Sequence, residues 1–374
     1  MPGNIRRIAI LRALKLGDLL CTVPALRALR AAHPFAEIRL IGLPWAAELV
    51  RRYDTFLDGL FVLPGFPGFP ERVFEPRAFT RFLDEVQSWE PDLVLQMHGS
   101  GELSNPLVML LGARTTGGYA EPGRYCPDPA RFIPYPADLP EVGRHLRLME
   151  HLGMPSRGMH KELPVYDADR RALTDLVGWE RGHPGRPGVP GWGGQDGLAP
   201  SQGLDGPYVV VHPGASVPEH RWPPDRFAAV ADHLAGQGLQ IVLTGGAEEA
   251  PVTLSVQRQM RAPAINLTGR TSLGTLAALL ERAALLVSND TGVMHVGESV
   301  GTPLVAVSFD SESWRWAPQD AERYRLLPGG MAVSTADVLE VTTRQLCSRT
   351  AISDDAVSPV GRTPDGRVGP AERR

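Results

Sequence analysis

Asp18 stands in Leu16-Gly17-Asp18-Leu19-Leu20, where the apolar run Ile8–Leu11 gives way to residues recurring at helical spacing, Leu19, Val23, Leu26 and Leu29. A carboxylate at such a junction has two roles open to it. Its oxygens can satisfy the orphan N–H groups of a helix start, or it can be the reacting group of a site at the carboxyl edge of a parallel sheet.

Three further clusters of polar residues follow apolar runs. His212, Gly214, Ser216, His220 and Arg221 lie in "VHPGASVPEHRW"; Thr244, Gly245, Gly246 and Glu248 lie in "LTGGAEEA". Asp290, Thr291, Gly292 and His295 lie in "VSNDTGVMHVGES". In the last, Asp-Thr-Gly opens a helical pattern that carries His295 one turn in, on the face of Thr291. A helix start presents free N–H groups and a positive dipole end to a phosphate, and Gly292 lets a diphosphate approach the backbone. Taken singly, each cluster has a plainer reading: Asp290 as an N-cap, Gly245-Gly246 as a turn, His295 as a hydrogen-bonded core histidine. Together they all fall at predicted strand ends, three of them on one edge.

The elements that must hold these residues are read from periodicity. In the first half "RIAILRA", "EIRLIG", "GLFVLP" and "DLVLQM" are near-continuous apolar strands separated by amphipathic helices. In the second half "YVVVHPG", "LQIVLTGG", "AINLTG", "ALLVSND" and "PLVAVS" play the same part. Such alternation predicts parallel sheets covered on both faces. The expected fold class is therefore α/β, with two Rossmann-like domains facing across a cleft. Boundaries are set at 1–180 for the first domain, 181–206 for a Gly/Pro-rich linker or insertion, 207–348 for the second domain and 349–374 for a disordered tail.

Composition narrows the function. A chain of 374 residues with 43% hydrophobic and 21% charged residues can bury two cores, and a formal charge of −4 argues against a nucleic-acid partner. No stretch reaches the roughly 20 apolar residues of a membrane span, and the basic residues near the N-terminus do not fit a signal peptide. Three scattered cysteines suit a reducing cytoplasm and form no zinc pattern. Neither G-x-G-x-x-G nor G-x-x-x-x-G-K-[ST] occurs at a strand end, which weighs against dinucleotide and P-loop chemistry.

The segments "LGDLLCTVPALRALRAAHP", "VVVHPGASVPEHRWPPDRFAAVADHLAGQGLQIVLTGGAEE" and "INLTGRTSLGTLAALLERAALLVSNDTGVMHVGESVGTPLVAVS" resemble the bacterial heptosyltransferase family, glycosyltransferase family 9. The ordered set G-D, H-P-G, R-W-P, T-G-G-x-E and S-N-D-T-G-x-x-H carries the resemblance, which covers most of residues 5 to 345. It implies a GT-B architecture with the acceptor on the first domain and the nucleotide-sugar donor on the second. It also implies an inverting transfer needing no metal or other cofactor, commonly of heptose from ADP-heptose in lipopolysaccharide biosynthesis. Asp18 matches the family's general base. Asp290, Thr291, Gly292 and His295 match the pyrophosphate motif, and Glu248 matches an acidic residue that holds donor hydroxyls. The donor site is expected at these residues together with His212, Gly214, Ser216, His220, Arg221, Thr244 and Gly245. Where family members carry Lys two residues before the Trp, this chain has His220, leaving Arg221 as the permanent cation of that stretch.

The chemistry agrees. Glycosyl transfer needs a base for the acceptor hydroxyl and N–H or cationic groups for the departing diphosphate. Arg221, His295 and the helix start at Thr291 are expected to supply them. The acceptor is a glycan, a lipid-linked saccharide or a small metabolite. Arg27, Arg30, Arg51 and Arg52 are the cations available for an anionic acceptor or a peripheral membrane contact. Two other readings stay open: a GT-B-type nucleotide-sugar epimerase, and a non-catalytic nucleotide-sugar binding protein in which Asp18 has no role. A hydride-transfer enzyme fits least.

Overall fold

The computed structural model describes residues 5–178, 204 and 206–355. Most of the Gly/Pro-rich segment and the end of the chain lie outside the described residues.

The first half is a six-stranded parallel sheet in the order β3-β2-β1-β4-β5-β6. In chain order it runs β1 (Arg7–Leu11), α1 (Leu16–Leu20), α2 (Val23–Ala32), β2 (Glu37–Gly42), α3 (Ala47–Arg52), β3 (Gly59–Val62) and α4 (Pro76–Ser88). It continues through β4 (Leu93–Gln96), α5 (Ser104–Met109), β5 (Thr115–Ala120), β6 (Phe132–Pro134), α6 (Glu141–His151) and α7 (Asp167–Gly178). Side chains of β1 alternate between two covered faces. Ile8 and Ile10 share a core with Leu26 and Leu29 of α2. Ala9 and Leu11 face Phe82 and Val86 of α4 and Leu107 of α5.

The second half repeats the plan with β7 (Tyr208–His212), α8 (Pro224–Gly236), β8 (Gln240–Leu243), α9 (Ala250–Gln259), β9 (Ala264–Asn266) and α10 (Leu273–Arg282). Then come β10 (Leu285–Asn289), α11 (Gly292–Ser299), β11 (Leu304–Ser308), α12 (Ser313–Trp316), β12 (Tyr324–Pro328) and α13 (Thr335–Asp355). Its parallel sheet has the order β12-β11-β10-β7-β8-β9, which read backwards is the order of the first. Val209 and Val211 pack on Phe227, Val230 and Leu234 of α8, while Val210 faces Ala277 and Leu280 of α10. The expected α/β class and GT-B architecture hold. α13 runs to Asp355, past residue 348, where a tail was expected. No Gly or Pro interrupts Thr335–Asp355, so nothing local stops the helix.

One apolar cluster runs through both halves, from Ile8 and Leu95 to Leu286 and Leu304. α7 lies along α10, with Arg170 bonded to both oxygens of Glu281 at 2.9 and 2.7 Å. Arg52 of α3 makes a two-pronged bond to Asp169 of α7 at 2.7 and 2.9 Å. That pair lies against Gly274 of α10, where a Cβ would come within 1.9 Å of both partners. In each sheet the strand order reverses beside the central strand, between β1 and β4 and between β7 and β10. Loops leaving those strand ends form the crevice where α/β sheets take ligands.

Candidate active site

A cleft between the halves, of about 330 Å³, is lined from the first half by Lys15, Leu16, Gly17 and Asp18. From the second half come Ser216 and His220 after β7, Asp290, Thr291, Gly292 and His295 after β10, Phe309 and Asp310 after β11, and Trp316. Asp18 is thus brought to the start of α11, as the sequence leads one to expect. The two helix starts abut: a Cβ on Gly292 would lie 3.7 Å from Leu16. At Gly17 a Cβ would come within 2.5 Å of His295 Cδ2, so glycine is what allows α1 to close onto that ring.

Asp18 does not hold the N-cap position of its helix; Lys15 does, and Asp18, in the first turn, accepts the Lys15 backbone N–H with its carboxyl. Burial pushes its carboxyl above the ordinary value, and Arg12 works in the other direction. Arg12 is 1% exposed and fully engaged. Nε donates to the Asp18 carbonyl at 3.0 Å, Nη1 to the Met97 carbonyl at 2.5 Å, and Nη2 to Glu141 Oε1 at 2.9 Å, with Asp18 Oδ1 at 3.5 Å. Glu141, in the first turn of α6, also accepts from Arg144 at 3.0 Å and from Arg315 at 2.9 Å. Although burial opposes its charge, His145 and Arg12 hold its carboxyl far below the usual range. Arg315 belongs to α12 in the second half and donates to Tyr135 Oη as well, at 2.8 Å. The carboxylate behind Asp18 therefore ties the halves together.

On the other wall, Asp290 accepts from Ser308 Oγ at 2.7 Å, joining the ends of β10 and β11, and burial raises its carboxyl. Asn289 braces the loop after β7. Its Nδ2 donates to the Pro213 and Gly214 carbonyls at 2.8 and 3.2 Å, and its Oδ1 accepts from Trp222 N at 2.9 Å. Thr291 caps α11 through its backbone, with no side-chain cap bond, so its hydroxyl does not occupy the N–H groups of the first turn.

Other expected residues sit elsewhere. His212 bonds Thr244 Oγ1 at 3.1 Å and approaches Glu249 at 3.4 Å, away from the cleft lining. Glu249 also accepts from Gly246 N at 2.7 Å, and a Cβ on Gly214 would strike its carboxyl at 2.2 Å. Gly245 packs against Thr253 and Glu249. The inward acid of the pair is thus Glu249, whereas Glu248 is exposed. Gly246 with Glu three residues on is the capping-box spacing that could have indicated this.

Arg221 directs Nε and Nη2 to the Ala215 carbonyl at 2.9 and 2.7 Å, within its own loop. His295 is held neutral: burial and then the Lys161 charge drive it well below the ordinary histidine value. Two further cations stand nearby: Lys15, whose Nζ meets Ser216 Oγ across the cleft at 3.2 Å, and Lys161, 2.8 Å behind the His295 ring. Three arginines considered for an acceptor are occupied. Arg27 bonds Glu162 and the His160 carbonyl, Arg30 bonds Asp58, and Arg52 bonds Asp169; Arg51 is exposed. Among the described residues no group of three His, Cys, Asp or Glu side chains is arranged to hold a metal, and no helix is long and apolar enough to cross a membrane.

Comparison with known proteins gives this geometry a lineage. The model of glycosyltransferase family 9 (heptosyltransferase) matches residues 79–327. Lipooligosaccharide heptosyltransferase 2 of Haemophilus influenzae is 33% identical over 106 residues, a stretch that covers 27% of this chain and 31% of that relative. Among solved structures, the family 9 glycosyl transferase of Veillonella parvula superposes with a TM-score of 0.73 at 23% identity, over 93% of this chain and 99% of that one. The ADP-heptose lipopolysaccharide heptosyltransferase II of Escherichia coli superposes with a TM-score of 0.70 at 19% identity, over 92% and 100%. The structural matches establish the shared fold, and the family model spans well over half of the sequence: the chain belongs to glycosyltransferase family 9, the heptosyltransferases.

Proposed function

We propose that this protein is an inverting glycosyltransferase that moves heptose from ADP-heptose to a hydroxyl of a lipopolysaccharide-type glycan acceptor in the cytoplasm. One observation carries the reading: Asp18 and the start of α11 line the same cleft from opposite halves. Asp18 takes the acceptor hydroxyl proton as the oxygen attacks the anomeric carbon. The bond from that carbon to the diphosphate breaks on the far side, its electron pair leaving on the phosphate oxygen, so the configuration inverts. The α11 N–H groups and the Lys15 ammonium receive the developing charge, and no metal is required. A carboxyl raised by burial suits a base better than an ordinary one, because Brønsted behaviour favours a pKa nearer the working pH. The donor named for the E. coli neighbour, ADP-heptose, supports the choice of nucleotide sugar.

The test is Asp18→Asn, a near-isosteric change. ADP affinity by calorimetry and the melting temperature should match wild type. ADP release from ADP-heptose with a lipopolysaccharide-core acceptor should fall by about two to four orders of magnitude, the usual worth of a positioned base. Undiminished turnover would sink the assignment of Asp18.

A further inference from the structure

Lys161 lies in the segment between α6 and α7 that crosses from one half to the other, and Leu163 N clips this segment to the Ser299 carbonyl of α11 at 3.2 Å. Its side chain is 1% exposed, with Nζ 2.8 Å from His295 Nδ1 and 2.5 Å from Glu298 Oε2. An ammonium only donates. Nδ1 must therefore accept, and the ring proton resides on Nε2. The ring lies against Gly17, where a Cβ would be 3.1 Å from Nε2. Among the described residues Nε2 has no protein partner, yet His295 lines the cleft beside Thr291 and Gly292.

We propose that Lys161 is a positioning residue that fixes His295 as a neutral Nε2–H donor facing the cleft, where that N–H binds the diphosphate of the nucleotide-sugar donor. This rests on the diphosphate reading above. The groups around the ring agree: Lys161, the Cys21 thiol with Sγ 4.0 Å from Nδ1, the Trp316 edge, and the carboxylates of Glu298 and, at longer range, Glu141. The permanent charge stands one hydrogen bond behind the donor N–H, polarising it, and the site keeps its donor as pH changes.

The experiment is long-range ¹H–¹⁵N NMR of the full-length protein with labelled histidine, across the usual histidine range of about pH 5–8, with ADP as probe. Wild type should show Nδ1 unprotonated, Nε2 protonated and no titration, and ADP should move the Nε2–H signal. Lys161→Arg, which keeps a donor-only cation, should preserve that signature; Lys161→Met should populate the Nδ1–H tautomer that the ammonium excludes, while burial still disfavours the imidazolium. A wild-type imidazolium or Nδ1–H form overturns the proposal without any variant, which covers the case of a Met variant that fails to fold. A ring that stays wholly Nε2–H in Lys161→Met overturns the role of Lys161. ADP that binds without moving Nε2–H overturns the diphosphate contact. No ADP binding at all, with the expected ring form, refutes the donor reading and leaves the hold of Lys161 standing.

Discussion

Arg12→Met tests how Asp18 stays ionised. Arg12 Nη2 lies 3.5 Å from Asp18 Oδ1. Two unit charges at that distance attract by about 1 kcal/mol at the dielectric of water and about 5 kcal/mol at an effective value near 20. Both figures bracket the roughly 1–3 units by which a neighbouring arginine depresses an aspartate. Removing the cation disfavours the ionised form, so the Asp18 carboxyl, already raised by burial, rises further. The acid limb of kcat/KM against pH should therefore move up by about 1–3 units, and activity lost at low pH should return as pH rises. Folding should survive, because Glu141 keeps Arg144 and Arg315. The Asp18 and Met97 carbonyls and Glu141 Oε1 each lose a donor, at about 1–3 kcal/mol each, so the melting temperature should drop. The assay is the full pH profile of the purified variant beside its melting curve. A rate that falls equally at every pH, with the acid limb unmoved, would refute the reasoning and leave Arg12 a purely structural brace.

Arg315→Gln removes the link from α12 to Glu141 and Tyr135. It should lower stability by about 1–3 kcal/mol and reduce kcat while leaving ADP affinity unchanged; wild-type melting and turnover would show that the bridge does not hold the halves. Stability should also depend on pH through buried imidazoles. Burial lowers His98 to about 3 and His145 to about 4. The unfolded chain takes up protons near 6.5 while the folded one does not. Stability is then full above about pH 6.5 and is lost progressively as pH falls from there towards 4. A melting temperature that stays flat over that window would contradict the neutral buried rings.

The strands that build the site were legible because each is a continuous buried run. Ile8–Leu11, Tyr208–His212 and Leu285–Asn289 give their type away by composition, and their ends locate Asp18, Ser216 and Asp290. The edges were not. β5 reads Thr-Thr-Gly-Gly-Tyr-Ala and β6 is three residues ending in Pro, so propensity opposes a strand that tertiary pairing nevertheless imposes. α6 was equally silent. In Glu141-Val-Gly-Arg144-His145 the charges at three and four steps look like a solvated helix face, yet here they are buried and joined to Arg12, 129 positions away.

The surroundings of the cations were hidden for the same reason. Sequence spacing tells which side chain comes close to a helix start; it does not tell what charge that side chain carries, because the charge depends on partners brought from a distance. His295 is where the motif puts it, but burial and then the charge of Lys161, 134 positions earlier, lower it well below the ordinary histidine value. Arg221 directs Nε and Nη2 to the Ala215 carbonyl, two bonds to one acceptor within a single loop. Lys15, two positions before Gly17, is placed at the start of α1 directly opposite Ser216. In each case the local pattern fixes position, and the protonation state and direction of the group come from contacts between elements that no window of neighbouring residues contains.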